Sequence, residues 1–217
     1  MSSGLRQLLI KFNNLANPDG SALLCQGNTI VQAYVYGPVE VSSLKEKSEK
    51  ASLFVNFKPK NSCNKYELRM ELYENYIRSI LESVIYLDLH PRTSISVILQ
   101  EMQDDGCLLS TAVNSACCAL IDAGIPMKCM MASVTGYING DDINLDPCKE
   151  EIEENPGSSI VFTFESTENR LISITNDGDL TIDQIKNAIK VSSIAATEIN
   201  NFYHDSMKKR FLMKQDD

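Results

Sequence analysis

Histidine is almost missing from this sequence: His90 and His204 are the only two, and its seven cysteines include no Cys-x-x-Cys pair. That excludes the usual zinc-ligand spacings, and no metal site is expected. The odd cysteine count reads as reduced, mostly buried thiols in a cytosolic or nuclear protein. A basic excess is missing as well. The net charge is −9, whereas a stand-alone nucleic-acid binder carries a cationic face that replaces counterions. Any contact with nucleic acid therefore belongs to a small local patch or to a larger basic assembly. No apolar run approaches the roughly 20 residues that span a membrane, and no basic-then-apolar leader pattern opens the chain. There is no Gly-x-x-x-x-Gly-Lys-Ser/Thr phosphate loop, no Gly-x-Ser-x-Gly nucleophile elbow, no short repeat and no long low-complexity segment.

What is present is a core. A chain of 217 residues with 43% hydrophobic content suits one domain over 1–217, built from β-rich halves of roughly 13–124 and 125–213 that share a core. Residues 18–41 read PDGSALLCQGNTIVQAYVYGPVEV. Asp19-Gly20 and Gly27-Asn28 supply turn chemistry around two β-rich runs, which predicts a hairpin whose second strand, 29–36, ends at Gly37-Pro38. The lysine-rich stretch 42–50 reads as a solvated loop, and SLFVNFKP (52–59) alternates as a strand. Over 64–87 the period changes. Leu72, Tyr73, Tyr76, Ile77, Ile80, Leu81, Val84 and Ile85 form one helical stripe, with Glu71, Glu74, Arg78 and Glu82 off it. A strand over 93–102 follows, then a small-residue helix over 108–123 stopped by Gly124-Ile125-Pro126. Strands near 129–138, 158–166 and 170–176 come next, with Asp141-Asp142 as a hairpin turn and an acidic loop over 146–157. Thr181 and Gln184 make a capping box ahead of a last helix whose apolar face runs from Ile182 to Phe202. The order gives an α+β fold with mixed sheets and packed helices.

The blocks PDGSALLCQGNT…GPVEV, HPRTSISVILQ (90–100), DDGCLLSTAVNSACCALIDAGIPM (104–127) and LDP (145–147) resemble the RNase PH family in order and spacing, over roughly residues 13–213. HPRTSI, DAGIPM and LDP are most similar to the branch whose members form the ring of the RNA exosome. The resemblance implies the RNase PH-like fold, which is the ribosomal protein S5 domain 2-like fold. It also implies either a scaffold or a nuclease. Active members phosphorolyse RNA from its 3′ end. The site must hold two anions close together and protonate a departing ribose oxygen. The family places a phosphate-binding arginine at the start of the small-residue helix, adds a second helix arginine, and sets carboxylates after the Leu-Asp block.

Carried onto this chain, the phosphate arginine falls at Leu109 within Gly106-Cys107-Leu108-Leu109, behind Asp104 and Asp105. Leucine has neither charge nor donors, where arginine has a charged fork. The first carboxylate maps onto Asp146, which reads equally as a turn residue before Pro147. The second falls at Ile152, flanked by Glu151 and Glu153. Leu109, Asp146 and Glu151 are thus vestiges, and no catalytic residue is expected. The helix arginine maps onto Arg78, either a phosphate contact or a surface partner of Glu74 and Glu82. Arg92, Lys58 and Lys60 are further candidates for RNA or phosphate contacts, each with a plain surface or structural reading beside it.

The expectation is a non-catalytic structural subunit of the exosome core ring, supporting 3′→5′ RNA processing and degradation by a separate catalytic subunit, in rRNA maturation and mRNA turnover. The resemblance implies other RNase PH-like subunits as partners, with exosome component 8 as the dimer partner, together with cap proteins and single-stranded RNA in the channel. It implies the nucleus, nucleolus and cytoplasm as locations, and no cofactor. The alternative is a self-associating RNase PH-like nuclease, a homodimer acting on RNA or DNA. It would work by phosphorolysis or with Mg²⁺ held by Asp104, Asp105 and Asp146.

Overall fold

The computed structural model describes residues 4–12, 17–41, 47–60, 64–140, 142–154 and 157–213. The hairpin forms. β2 (Gly20–Gln26) pairs antiparallel with β3 (Thr29–Glu40), and Gln26 lies opposite Thr29 so that Gly27-Asn28 alone make the turn. Gly27 has φ +58°, which a side chain rarely adopts. β3 does not stop at Gly37-Pro38. A register shift there lets it continue, with Val39 opposite Ser94 and Glu40 opposite Thr93 on β5 (Thr93–Gln103). The strand outlasts its local stop signal because its continuation is paid for by a neighbour 55 residues away in the chain. β1 (Leu8–Phe12) and the parallel neighbour of β5, β4 (Ser52–Lys58), complete a five-stranded sheet in the order β1-β2-β3-β5-β4.

The second sheet has the order β7-β6-β8-β9 and is antiparallel throughout. Its strands are β6 (Met131–Asn139), β7 (Asp142–Leu145), β8 (Ser158–Glu165) and β9 (Leu171–Asp177). Neither β1 nor β7 is anticipated by the sequence reading; each is short and defined by its partner. Asp141 lies outside the described residues, as do 42–46 of the lysine-rich stretch and Cys63.

α2 (Leu108–Ala123) joins the two sheets. It packs on β2 and β3 of the first and on β6 and β8 of the second. Its first 13 residues are buried all round, so the helix is core on every side rather than amphipathic. Small side chains permit this. At Gly20 a Cβ would stand 2.3 Å from the backbone nitrogen of Ala123, so this glycine serves helix–strand approach rather than a turn. Gly124, at φ +69°, caps the helix.

α1 (Asn64–Val84) lies on β4 through Ile77, Ile80, Leu81 and Val84, all buried. Leu72 is 61% exposed and leaves the expected stripe, being at its edge by helical angle. A short 3-10 turn, Leu87–Leu89, ends this region. α4 (Ile182–Met213) covers β6 and β8 with Ala188, Ala195, Ala196, Ile199 and Tyr203. Its start is the capping box: Thr181 N–H donates to Gln184 Oε1 at 2.9 Å, and the Gln184 amide N–H returns to Thr181 Oγ1 at 3.4 Å. The expected acidic loop is in part a helix, α3 (Lys149–Glu154). Its register is set by Glu151, whose carboxylate accepts the Cys148 N–H at 2.9 Å, the helix-start bond of an N3 glutamate.

Candidate functional site

The family's site residues converge where α2 begins. Asp104-Asp105-Gly106-Cys107 runs from the end of β5 into α2 and presses on the chain at Pro147–Cys148, which follows β7. Gly106 has φ +89°, and a Cβ there would stand 2.7 Å from the Pro147 carbonyl oxygen. Cys107 and Asp146 both take left-handed backbone, at φ +58° and +54°. The Cys107 thiol donates to the Pro147 carbonyl at 3.2 Å. Burial, with Asp146 beside it, pushes that thiol far above the ordinary range, so it is a structural donor rather than a nucleophile.

Asp146 has a fully buried side chain and a single dominant partner, Arg6. The Arg6 guanidinium Nη2 donates to Asp146 Oδ1 at 2.8 Å, and the Arg6 backbone N–H donates to Oδ2 at 3.0 Å. The same guanidinium donates to the carbonyls of Asp105 at 3.0 Å and Gly106 at 3.4 Å. Thr29 at the hairpin turn completes the joint, donating to the Gly106 carbonyl at 2.6 Å and accepting the Asp105 N–H at 3.1 Å. Arg6 is therefore the centre of the arrangement. Sequence reasoning did not single it out, since an arginine before a short apolar run has no local signature and its partner is 140 residues away.

The mapped residues divide by position. Leu109, in the first turn of α2, is 7% exposed and belongs to the hydrophobic core. Ile152 is half-buried on α3, and its carbonyl accepts the Tyr137 hydroxyl at 3.4 Å. Glu151 caps α3 and faces Asn144 at 3.4 Å. Asp146 is thus held by one arginine already engaged, while the two other mapped positions carry a leucine and an isoleucine.

Ahead of α2 opens a cleft of about 260 Å³ bordered by Lys60, Arg69, Glu101, Asp104, Leu108 and Lys149. Of the basic candidates read from the sequence, Lys60 lines it. Lys58 ends β4 with its side chain exposed. Arg78 bonds Asn75 at 2.9 Å and stands nine residues along α1 from Arg69, about 13 Å at the helical rise. Glu74, its expected partner, instead accepts the Phe57 N–H at 2.7 Å. Arg92 precedes β5 while the cleft lies at that strand's far end, so the 11 residues of β5 separate them by about 30 Å. Among the described residues no cluster of three or more His, Cys, Asp or Glu side chains is placed to hold a metal ion.

Residues 4–126 match the model of the 3′ exoribonuclease family, domain 1 (RNase PH). The chain is 32% identical to the exosome complex exonuclease RRP46 homolog of Arabidopsis thaliana, over 94% of this chain and 92% of that protein. It is 28% identical to the exosome complex component RRP46 homolog of Caenorhabditis elegans, over 97% of each. The crystal structure of rice (Oryza sativa) Rrp46 superposes with a TM-score of 0.87 at 33% identity, covering 94% of this chain and 95% of that one.

Proposed function

We propose a function from the premise that this chain belongs to the RNase PH family of 3′ exoribonucleases. It is a non-catalytic structural subunit of the RNA exosome core ring, of the kind called RRP46 or exosome component 5, and it supports 3′→5′ RNA processing and degradation carried out by another subunit. The observation that carries the non-catalytic part is the state of Asp146. Both of its oxygens are engaged by Arg6 and its side chain has no exposed surface to offer a ribose oxygen, and Leu109 in the core supplies no phosphate ligand. A general acid must reach the atom it protonates; a buried carboxylate held by an arginine fork does not.

As a ring subunit it pairs with other RNase PH-like chains, exosome component 8 being the partner proposed from the resemblance, beneath cap proteins and around single-stranded RNA. The nucleus, nucleolus and cytoplasm are its proposed locations. The test is a 3′-end degradation assay on the purified chain with labelled single-stranded RNA, with phosphate, with Mg²⁺, with both and with neither, beside co-expression with the partner chain. No cleavage and a stable heterodimer are expected. Phosphate-dependent release of nucleoside diphosphates overturns the non-catalytic reading, and Mg²⁺-dependent cleavage lost in Asp146→Asn turns it toward the self-associating nuclease.

A further inference from the structure

One face of the first sheet is covered by α2 and α1; on the other, no helix of the described residues packs. Ala22, Leu24, Val31, Ala33 and Val35 are buried beneath α2, and Leu53, Val55 and Phe57 beneath α1. The alternate residues of these strands therefore point to the open side. Strand pairing sets them in rows. One row crosses the whole sheet: Lys11 on β1, Leu23 on β2, Gln32 on β3, Gln100 on β5 and Lys58 on β4. The next holds Tyr34 opposite Ile98, with Asn56 beyond. The third is Tyr36, Ser96 and Phe54.

The third row has a shape. Tyr36 and Phe54, 36% and 39% exposed, stand on either side of the small Ser96. Two strand spacings, about 9.6 Å, separate their backbones. Strand side chains stand roughly perpendicular to the sheet, so the two rings wall a notch floored by Ser96, with the Tyr34–Ile98 pair along one side. The charge is as distinctive. In a chain of net charge −9, the three rows hold two lysines and neither Asp nor Glu. Among the described residues neither Lys11 nor Lys58 has a carboxylate partner. They stand at opposite edges of the sheet, four strand spacings or about 19 Å apart.

Charge and size together narrow the occupant. Two cations that far apart are too few for a nucleic-acid strand, whose binders neutralise many phosphates at once. The three rows cover about 19 by 14 Å, roughly 270 Å², well under the roughly 800 Å² that each partner gives to a standard interface between folded proteins. A second whole domain is therefore too large for the face, and a single segment fits it. About 13 residues of helix span 19 Å. We propose that this open face docks an acidic amphipathic helix of a partner protein, one bulky apolar side chain entering the notch between Tyr36 and Phe54 and carboxylates near its two ends meeting Lys11 and Lys58. The proposal goes beyond the exosome reading and does not rest on it.

The experiment titrates the intact chain into labelled helical peptides of about 16 residues, read by fluorescence anisotropy. The first carries leucines along one face and Glu in its first and last turns. The second has Lys in place of each Glu, and the third has Ala in place of the central leucine. The Glu peptide is expected to bind at least fivefold more tightly than either of the others. Ser96→Phe, which fills the notch, is expected to weaken it at least tenfold. Lys11→Glu with Lys58→Glu, both exposed, is expected to turn the preference toward the Lys peptide, and keeps the test open should Ser96→Phe fail to fold. No binding of the Glu peptide, equal affinity for the Glu and Lys peptides, or affinity unchanged in Ser96→Phe overturns the proposal. A single-stranded oligonucleotide that displaces the peptide assigns the face to nucleic acid and overturns it too. Heterodimer formation is measured on the parent and on the charge-reversed pair. Its loss in the pair alone places the face in the ring and overturns the docking site, whereas its absence in the parent is a failure of the exosome reading only.

Discussion

The Asp146 side chain has no exposed surface, and Arg6, 17% exposed, supplies both of its short donors while also spanning the carbonyls of Asp105 and Gly106. Deleting one partner of such a pair strands the other's charge in the interior. For a fully buried pair the loss is about 3–5 kcal/mol, and the partial exposure of Arg6 puts this one at the lower end. Urea denaturation of Arg6→Ala should show that loss. Arg6→Lys should recover little, because an ammonium lacks the fork. Adding Asp146→Asn to Arg6→Ala should restore part of the stability by removing the stranded charge. An Arg6→Ala variant as stable as the parent would mean the pair is not what fixes this joint. Leu109→Arg makes a second case. The new guanidinium would start inside the apolar core, and Asp146 would still be held by Arg6, so phosphate-dependent release of nucleoside diphosphates from an RNA 3′ end should remain absent. Its appearance would show that one missing arginine is all that separates this site from catalysis.

The elements differ in how far their own residues determine them. α2 runs over the residues its composition and Gly124 mark out, and the β2–β3 turn is the Gly27-Asn28 step visible in the sequence. These are local signals, complete within a few residues. β1 and the end of β3 past Gly37-Pro38 are fixed by partners further along the chain, Leu8 by Gln26 and Val39 by Ser94, which a short window does not contain; β7 is only four residues long and closes a tight hairpin on β6, with Asn139 opposite Asp142. The candidate site follows the same rule. The absence of arginine at 109 is legible because it is one position in a motif. The capture of Asp146 by Arg6 is tertiary, and with it the reason the carboxylate is unavailable. Gly20 shows a residue whose type is legible while its cause is not: it stands in a turn-like Asp-Gly pair, yet what it meets is the backbone of Ala123 at 2.3 Å from a would-be Cβ. Neither side of that contact is a flexible side chain, so Gly20→Ala must push β2 off the C-terminal end of α2. A loss in the 1–3 kcal/mol range of overpacked cores, or more, is expected in thermal or urea unfolding. The exposed Gly140, with nothing within 4 Å of its Cβ position, serves as control for glycine replacement without a clash, its φ of +61° adding only backbone strain.

At the scale of the whole molecule α2 is the shared component, and what it carries ties global stability to pH. Cys107 lies at its start, Cys117 and Cys118 in its body, and Tyr203 of α4 packs near the last two, all buried. Burial is the largest cause that drives each up, with neighbouring ionisable groups adding to it: the Cys117 thiol to about 12, and Cys107, Cys118 and the Tyr203 phenol well above their ordinary ranges. In the unfolded chain the thiols ionise near the ordinary value of about 8.5. Between that value and about 12 the unfolded state therefore binds fewer protons than the folded one, and linkage makes stability fall as pH rises. Below pH 8 the groups are protonated in both states and contribute no slope. Each buried thiol adds about 1.4 kcal/mol of loss per pH unit above the free-thiol value, so unfolding measured at pH 8, 9 and 10 should weaken with a slope of several kcal/mol per unit. Because α2 packs on both sheets, the loss should appear as a single transition, coincident by circular dichroism and by tyrosine fluorescence, rather than as the release of one half. Cys118→Ala should lower the starting stability through the cavity it leaves but flatten the slope by about one thiol's share. That change of slope separates ionisation from packing: a pH-independent deficit alone would mean the buried thiols do not titrate on unfolding, and two resolved transitions would mean that α2 does not bind the sheets into one cooperative unit.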